Sequence, residues 1–113
     1  MSDVPILMYH DVSSISNPWC VSPQEFEQQM AFLYKHGYKT ISLSQLGRTD
    51  KCVVLTFDDA RKGVFATAFP ILKKYNFTAT VFVVPSWIDG GAPETERYTE
   101  FMSWNELSIL QAS

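Results

Sequence analysis

Two adjacent carboxylates, Asp58 and Asp59, are the residues of this sequence that could most readily carry out chemistry. They follow the apolar residues 52–57, whose lack of polar alternation is typical of a parallel strand covered on both faces. In α/β folds, sites form at the carboxyl ends of such strands. Adjacent strand residues point in opposite directions, so one carboxylate could bind a metal while the other faces a substrate or water.

The same acid pair allows other interpretations. One aspartate could simply cap the helix that follows, which is the commoner role of a lone Asp-Asp pair. A glycosidase could use Asp58 with Glu106, because two carboxylates suffice for that chemistry, but their separation cannot be read from the sequence. A phosphorylated receiver domain matches poorly, because it places its acid pair after the first strand and this pair follows the third predicted strand.

Length and composition limit the classes of protein to which this chain can belong. A chain of 113 residues, 46% of them apolar, is expected to form one globular domain at most. A formal net charge of -3 provides no basic stripe, which argues against nucleic acid as a partner. No run of about 18 apolar residues predicts a membrane span, and the first residues lack the pattern of a signal peptide. Cys20 and Cys52 have neither the number of a disulfide scaffold nor the spacing of a zinc site.

Strand and helix patterns alternate along the chain. Strands are predicted at residues 6–9, 38–41, 52–57 and 78–84. The best-marked helix begins after Ser22, which can act as its N-cap, and stops at Gly37. A second helix follows Asp59 and contains Pro70, which predicts a kink or two joined segments near Phe69.

Further elements are marked by capping and turn residues. Ser103 with Glu106 forms a capping-box pattern that predicts the last helix, and residues 42–46 carry a similar pattern for a short one. Polar residues 48–51 predict a turn before the central strand. Residues 85–99 predict a long surface loop, which in an α/β fold often borders the site.

Strands that alternate with helices imply an α/β fold with a parallel sheet and right-handed crossovers. A parallel sheet needs both faces covered and its edges protected. An order that ends with strand 78–84 leaves at least one apolar strand at an exposed edge. The chain is therefore expected to be part of a barrel, and we predict self-association through the exposed edge or marginal stability.

Six segments form a longer pattern around the acid pair. They lie at residues 5–12, 21–26, 56–59, 69–75, 78–84 and 102–107, and the third of them reads Thr56-Phe57-Asp58-Asp59. In this order they resemble the polysaccharide deacetylase family and its NodB homology domain. The resemblance implies a partial (β/α) barrel of the distorted seven- or eight-unit type, with about the first four strands present. Residues 1–113 would then be the N-terminal part of a single domain, ending before its His-x-x-x-His motif.

The resemblance also implies an activity, that of a metal-dependent hydrolase that removes acetyl groups from N-acetylated or O-acetylated polysaccharide. By position, Asp58 is similar to the family's catalytic base and Asp59 to its metal-binding aspartate. The metal is expected to be divalent, commonly zinc, with its two histidine ligands in the motif that this chain lacks. Ala60 stands where the family usually has glycine, which makes the turn less permissive. Family members are often secreted or at the cell envelope, and the alternative function is a non-catalytic carbohydrate-binding or interaction module.

Four other residues are candidates for the substrate pocket or for support of the catalytic groups: His10, Tyr9, Arg61 and Trp87. His10 follows the first predicted strand, and the tripeptide at 9–11 resembles one that family members have at the pocket. Arg61 could steady a carboxylate near the mouth, although an exposed position at a helix start is the simpler interpretation. Trp87, with Tyr98 on the same loop, could stack on sugar rings or pack locally.

Overall fold

The computed structural model describes residues 4–45 and 51–112. The strands are β1 (Ile6–Tyr9), β2 (Asp11–Val12), β3 (Cys20–Val21), β4 (Lys39–Thr40), β5 (Cys52–Phe57) and β6 (Thr80–Val81). The α-helices are α1 (Pro23–Lys35), α2 (Phe69–Lys74) and α3 (Trp104–Gln111). Shorter helical segments are 3₁₀ at Leu43–Gln45 and Glu94–Glu96, and π-type at Val64–Ala68 and Trp87–Gly91. Residues 46 and 48–50 of the predicted short helix and turn lie outside the described residues.

The central strand of the main sheet is β5, which is buried along its whole length as predicted. The backbone amide of Val54 donates to the carbonyl of Pro5, just before β1, at 3.0 Å, and that of Asp58 donates to the Tyr9 carbonyl of β1 at 2.9 Å. The carbonyls of Val53 and Phe57 face the other side and accept from the amides of the residues just after β4 and just after β6, at 3.0 and 2.8 Å. All these pairings are parallel, so the predicted α/β class with a parallel sheet is confirmed.

The second and fourth predicted strands are shorter than their patterns indicate. β4 pairs with the first residues of β5, and β6 pairs with its last two. Because both lie on one edge of the same six-residue strand, each has only a short length of β5 to pair with. A separate parallel pair, β2 with β3, lies in a part of the chain where no strand was predicted.

The core fills the space between one face of the sheet and the helices. Val53, Leu55 and Phe57 of β5 pack there with Phe26 and Met30 of α1, and all five are fully buried. The opposite face of β1 is open, because the side chains of this edge strand alternate between the two faces. Its residues Ile6 and Met8 are 49% and 66% exposed.

The helix predictions are confirmed at their ends. The Ser22 hydroxyl accepts from the Glu25 amide at 3.1 Å, and Gly37 adopts φ 78° just after α1. Ser103 and Glu106 form a reciprocal capping box at the start of α3.

The helix after the acid pair consists of two joined segments. The π-type turn Val64–Ala68 runs into α2 at Phe69, next to Pro70. Of the two forms predicted there, a kink or two joined segments, the second is confirmed, because proline cannot donate the backbone hydrogen bond that would continue a regular helix. Among the described residues, no helix is both long enough and apolar enough to span a membrane.

Candidate active site

The acid pair lies in a backbone turn that few residues tolerate. Asp59 and Ala60 have φ values of 74° and 56°, both in the left-handed region that disfavours side chains other than glycine. Ala60 is fully buried, and its carbonyl accepts from the Met102 amide at 2.8 Å. Packing therefore holds the chain in a conformation that costs about 1–3 kcal/mol per residue, as is typical of functional sites.

His10 and Asp58 lie together at the carboxyl ends of neighbouring strands. The His10 Nε2 atom is 3.7 Å from Asp58 Oδ2, and the two side chains are 23% and 31% exposed. Trp19 covers the imidazole, with ring centroids 4.8 Å apart. These rings and Tyr9 line a cavity of about 310 Å³. The carboxyl ends of the parallel strands form one edge of the sheet, here called the rim. Sequence reasoning missed Trp19, because the two-residue pairing of β2 with β3 that brings it to this rim leaves no periodic signal.

Arg61 lies behind the rim and pairs with two carboxylates. Its Nη2 atom is 3.1 Å from Asp59 Oδ2 and 3.0 Å from Glu96 Oε1. Its Nη1 atom donates to the carbonyls of Glu96 and Thr99. The guanidinium thus connects the acid pair to the loop that precedes α3.

Two aromatic rings complete the surroundings of Arg61. The centroids of Tyr98 and Phe101 lie 4.0 and 4.4 Å from its Cζ atom, a cation–π arrangement on both rings. Arg61 is therefore 0% exposed, and the simpler interpretation of an exposed helix start is wrong. The other interpretation, that it steadies a carboxylate, agrees with its contact to Asp59. The contributions of Glu96 and Phe101 carried no signal in the sequence, because they depend on how the loop folds back.

Tyr9 and Trp87 do not contact the acid pair through their side chains. The Tyr9 ring stacks on Phe57, and its hydroxyl donates to Gln29 at 2.6 Å. Burial raises the pKa of Tyr9 to about 12. Trp87 packs edge-on against Phe101, with centroids 5.9 Å apart, and lines a different cavity from that of His10.

Asp11 is a buried carboxylate next to this site. It is 1% exposed, and its Oδ1 atom accepts from the Val12 amide at 2.9 Å. A Cβ atom on Gly63 would lie 2.2 Å from that oxygen and 2.4 Å from the Val12 carbonyl, so only glycine fits there. Burial raises the pKa of Asp11 above its ordinary value, and the hydrogen bonds that its carboxylate accepts, with the positive charge of Arg61, oppose the rise only in part.

The raised pKa of Asp11 predicts a pH dependence of stability. The folded state binds more protons than the unfolded state between the ordinary carboxyl pKa, about 3.9, and the raised one. Stability contributed by Asp11 is therefore present below that window and is lost as pH rises through it. Asp11→Asn should remove this loss, so the free energy of unfolding of the variant minus that of wild type should rise with pH in urea titrations. A difference that is flat or falls with pH would contradict the prediction.

The described residues do not by themselves complete a metal site. No three His, Cys, Asp or Glu side chains within residues 4–45 and 51–112 converge on one point. Asp59 presents one carboxylate oxygen to Arg61, and in this part of the chain its Oδ1 atom has no partner. A catalytic zinc site has three protein ligands, so this donor set does not fit a resident metal on its own.

A family model described as "Polysaccharide deacetylase" matches residues 45–105, which include Asp58, Asp59 and Arg61. The chain belongs to the polysaccharide deacetylase family. The resemblance carried by the sequence motifs is thus confirmed.

Individual relatives of the chain agree with this membership. YxkH of Bacillus subtilis (strain 168) is 35% identical over 94% of the chain, and the chain covers 40% of YxkH. A poly-beta-1,6-N-acetyl-D-glucosamine N-deacetylase of Staphylococcus epidermidis is 34% identical over 82% of the chain, which covers 32% of that protein. The Streptococcus pyogenes deacetylase PplD, solved in complex with acetate, is similar over 96% of the chain with a TM-score of 0.79 and 28% identity. The chain covers 52% of PplD, so it spans about half or less of the length of these relatives.

Proposed function

We propose that this chain is the N-terminal part of a hydrolase that removes acetyl groups from polysaccharide. Family membership supports the reaction class, and the pairing of His10 with Asp58 at 3.7 Å carries the assignment of the site. The substrate class follows from the Staphylococcus epidermidis relative, which is named for poly-β-1,6-N-acetylglucosamine. An N-acetylated amino-sugar polymer is therefore the proposed substrate, with O-acetylated polysaccharide as a further candidate.

In this proposal Asp58 is the general base. It takes a proton from water as the water oxygen attacks the acetyl carbonyl, and the resulting tetrahedral intermediate loses acetate as its C–N bond breaks. The sugar nitrogen must gain a proton when it leaves. The His10 imidazole lies 3.7 Å from the Asp58 carboxylate, so it can supply that proton. Trp19 limits the positions the imidazole can adopt.

Asp59 as a ligand of a divalent metal, with zinc as the first candidate, remains a prediction. The contact of Arg61 with Oδ2 leaves Oδ1 as the oxygen that could bind an ion. Two more ligands would have to come from outside the described residues. In this proposal the chain is part of a (β/α) barrel of seven or eight units, and the rest of that barrel would supply them. A metal bound there would polarise the acetyl carbonyl.

The direct test is acetate release from β-1,6-linked N-acetylglucosamine oligomers and from acetylated xylan. The full-length protein should release acetate with added zinc and lose that activity after treatment with a chelator. Sugar binding without acetate release from either substrate would favour the alternative function, a non-catalytic carbohydrate-binding module. This alternative is retained because the described residues do not provide a complete set of metal ligands.

Self-association through the sheet edge also remains a prediction. In the described sheet β1 is an edge strand, and its residues Ile6 and Met8 are largely exposed. An apolar edge strand pairs readily with other chains. In size-exclusion chromatography the 113-residue chain should elute earlier as its concentration rises, and Met8→Lys should reduce this shift. A single monomer peak at all concentrations would contradict it.

A further inference from the structure

A second, larger cavity lies beside the rim and takes no part in the roles proposed above. It has a volume of about 900 Å³ and is bounded by the β2 strand, the start of the helix after the acid pair, and the loop from Trp87 to Phe101. This size falls in the range of small-molecule sites, about 300–1,000 Å³. Among its lining residues only Asp11 is shared with the cavity at His10.

The charges around this cavity balance. Its lining contains two acids, Asp11 and Glu100, and two bases, Lys62 and Arg97. Lys62 is already paired with Glu106 at 2.6 Å, and Arg97 donates to the backbone carbonyls of its own loop. The lining contains equal numbers of acids and bases, and both bases are already engaged, so the cavity suits a neutral ligand that forms hydrogen bonds.

Two aromatic side chains supply the contacts such a ligand needs. Trp87 is half-buried in the lining, held edge-on by Phe101, and offers a flat apolar surface. Tyr98 also lines the cavity, and its buried hydroxyl has no hydrogen-bond partner among the described residues. A buried hydroxyl without a partner is costly, and a ligand oxygen would satisfy it. Burial raises the pKa of Tyr98 to about 12, so the hydroxyl keeps its proton at neutral pH.

We propose that this cavity binds a neutral sugar unit of the polysaccharide, with Trp87 stacking on the ring and Tyr98 donating a hydrogen bond to a ring substituent. The identity of the ligand rests on the proposed function, since the polymer is the one proposed for the site at Asp58. The cavity shares Asp11 with the His10 site, so both could contact one extended chain.

The test is a titration of the 113-residue chain, without added metal, with a β-1,6-linked N-acetylglucosamine tetramer. The chain has three tryptophans, and their indole N–H signals in ¹H–¹⁵N spectra can be assigned by single Trp→Phe variants. We expect the Trp87 signal to shift on binding. Trp87→Ala should weaken binding about tenfold through lost stacking.

Tyr98→Phe separates binding from folding. Because its hydroxyl has no hydrogen-bond partner within residues 4–45 and 51–112, the variant should keep the wild-type melting temperature while binding the tetramer about fivefold more weakly. Phe32→Ala, on the outer face of α1 where the ring is 57% exposed, is the matched control and should bind as wild type does.

Shifts confined to the Trp19 indole and His10, or wild-type affinity in both Trp87→Ala and Tyr98→Phe, would overturn the proposal. No binding at all would overturn it as well. None of these results would contradict the proposed deacetylation, which is tested independently by acetate release from the full-length protein.

Discussion

Replacing Asp58 by asparagine is expected to lower the rate of acetate release by the full-length protein by about 10²–10⁴-fold. Asparagine has nearly the same shape but cannot accept a proton from the attacking water. The hydrogen bond from the Asp58 amide to the Tyr9 carbonyl, 2.9 Å, involves only backbone and should persist. The loss should therefore appear in kcat, with little change in KM, and initial rates over a range of substrate concentrations would measure both.

The matched control for this variant is Asp89→Asn. Asp89 is an exposed carboxylate on the 87–91 helical segment, and its Oδ1 atom accepts from the Trp104 indole at 2.9 Å, a bond that an asparagine oxygen can keep. The control should retain the wild-type rate. If Asp58→Asn also released acetate within about threefold of wild type, Asp58 would not be the general base.

Arg61→Met is expected to cost about 3 kcal/mol of folding stability. The change keeps an apolar side chain between the Tyr98 and Phe101 rings but leaves the carboxylates of Asp59 and Glu96 without their cation. Removing one partner of a buried ion pair leaves the other charge uncompensated, which is the reason for the large loss. Arg61→Lys should recover part of it, because an ammonium restores the charge but not the forked geometry or the stacking.

Urea unfolding and amide hydrogen exchange would measure this effect together. Arg97→Met, in the same loop, is the control, because its exposed guanidinium donates only to carbonyls and its loss should cost less than about 1 kcal/mol. In Arg61→Met the amides of Lys62 and Met102, which bond to Glu100 and Ala60, should lose protection. A smaller loss in Arg61→Met than in Arg97→Met would show that the buried cation does not organise the rim.

Local patterns predicted much of the fold correctly. Three predictions agree with the structure: the central strand, the helix from Ser22 to Gly37 and the capping box at Ser103. Each of these depends on burial or on hydrogen bonds between residues close in sequence. The division of the helix into two segments next to Pro70 was an equally local prediction. The strand patterns at 38–41 and 78–84 were too long, because strand length is set by how much of β5 each can pair with, which is not a local property.

For the site, the sequence by itself determined the acid pair, its position after a buried strand, and the family that its flanking motifs indicate. The tertiary structure decided how those acids are surrounded. It brought His10 to Asp58 and Trp19 to His10 across two parallel pairings, and it placed a buried Arg61 against Asp59. These contacts join residues that are distant in the chain, and their energies depend on burial and geometry that a linear pattern does not contain. A buried guanidinium beside a candidate metal ligand is therefore a property of the folded chain alone.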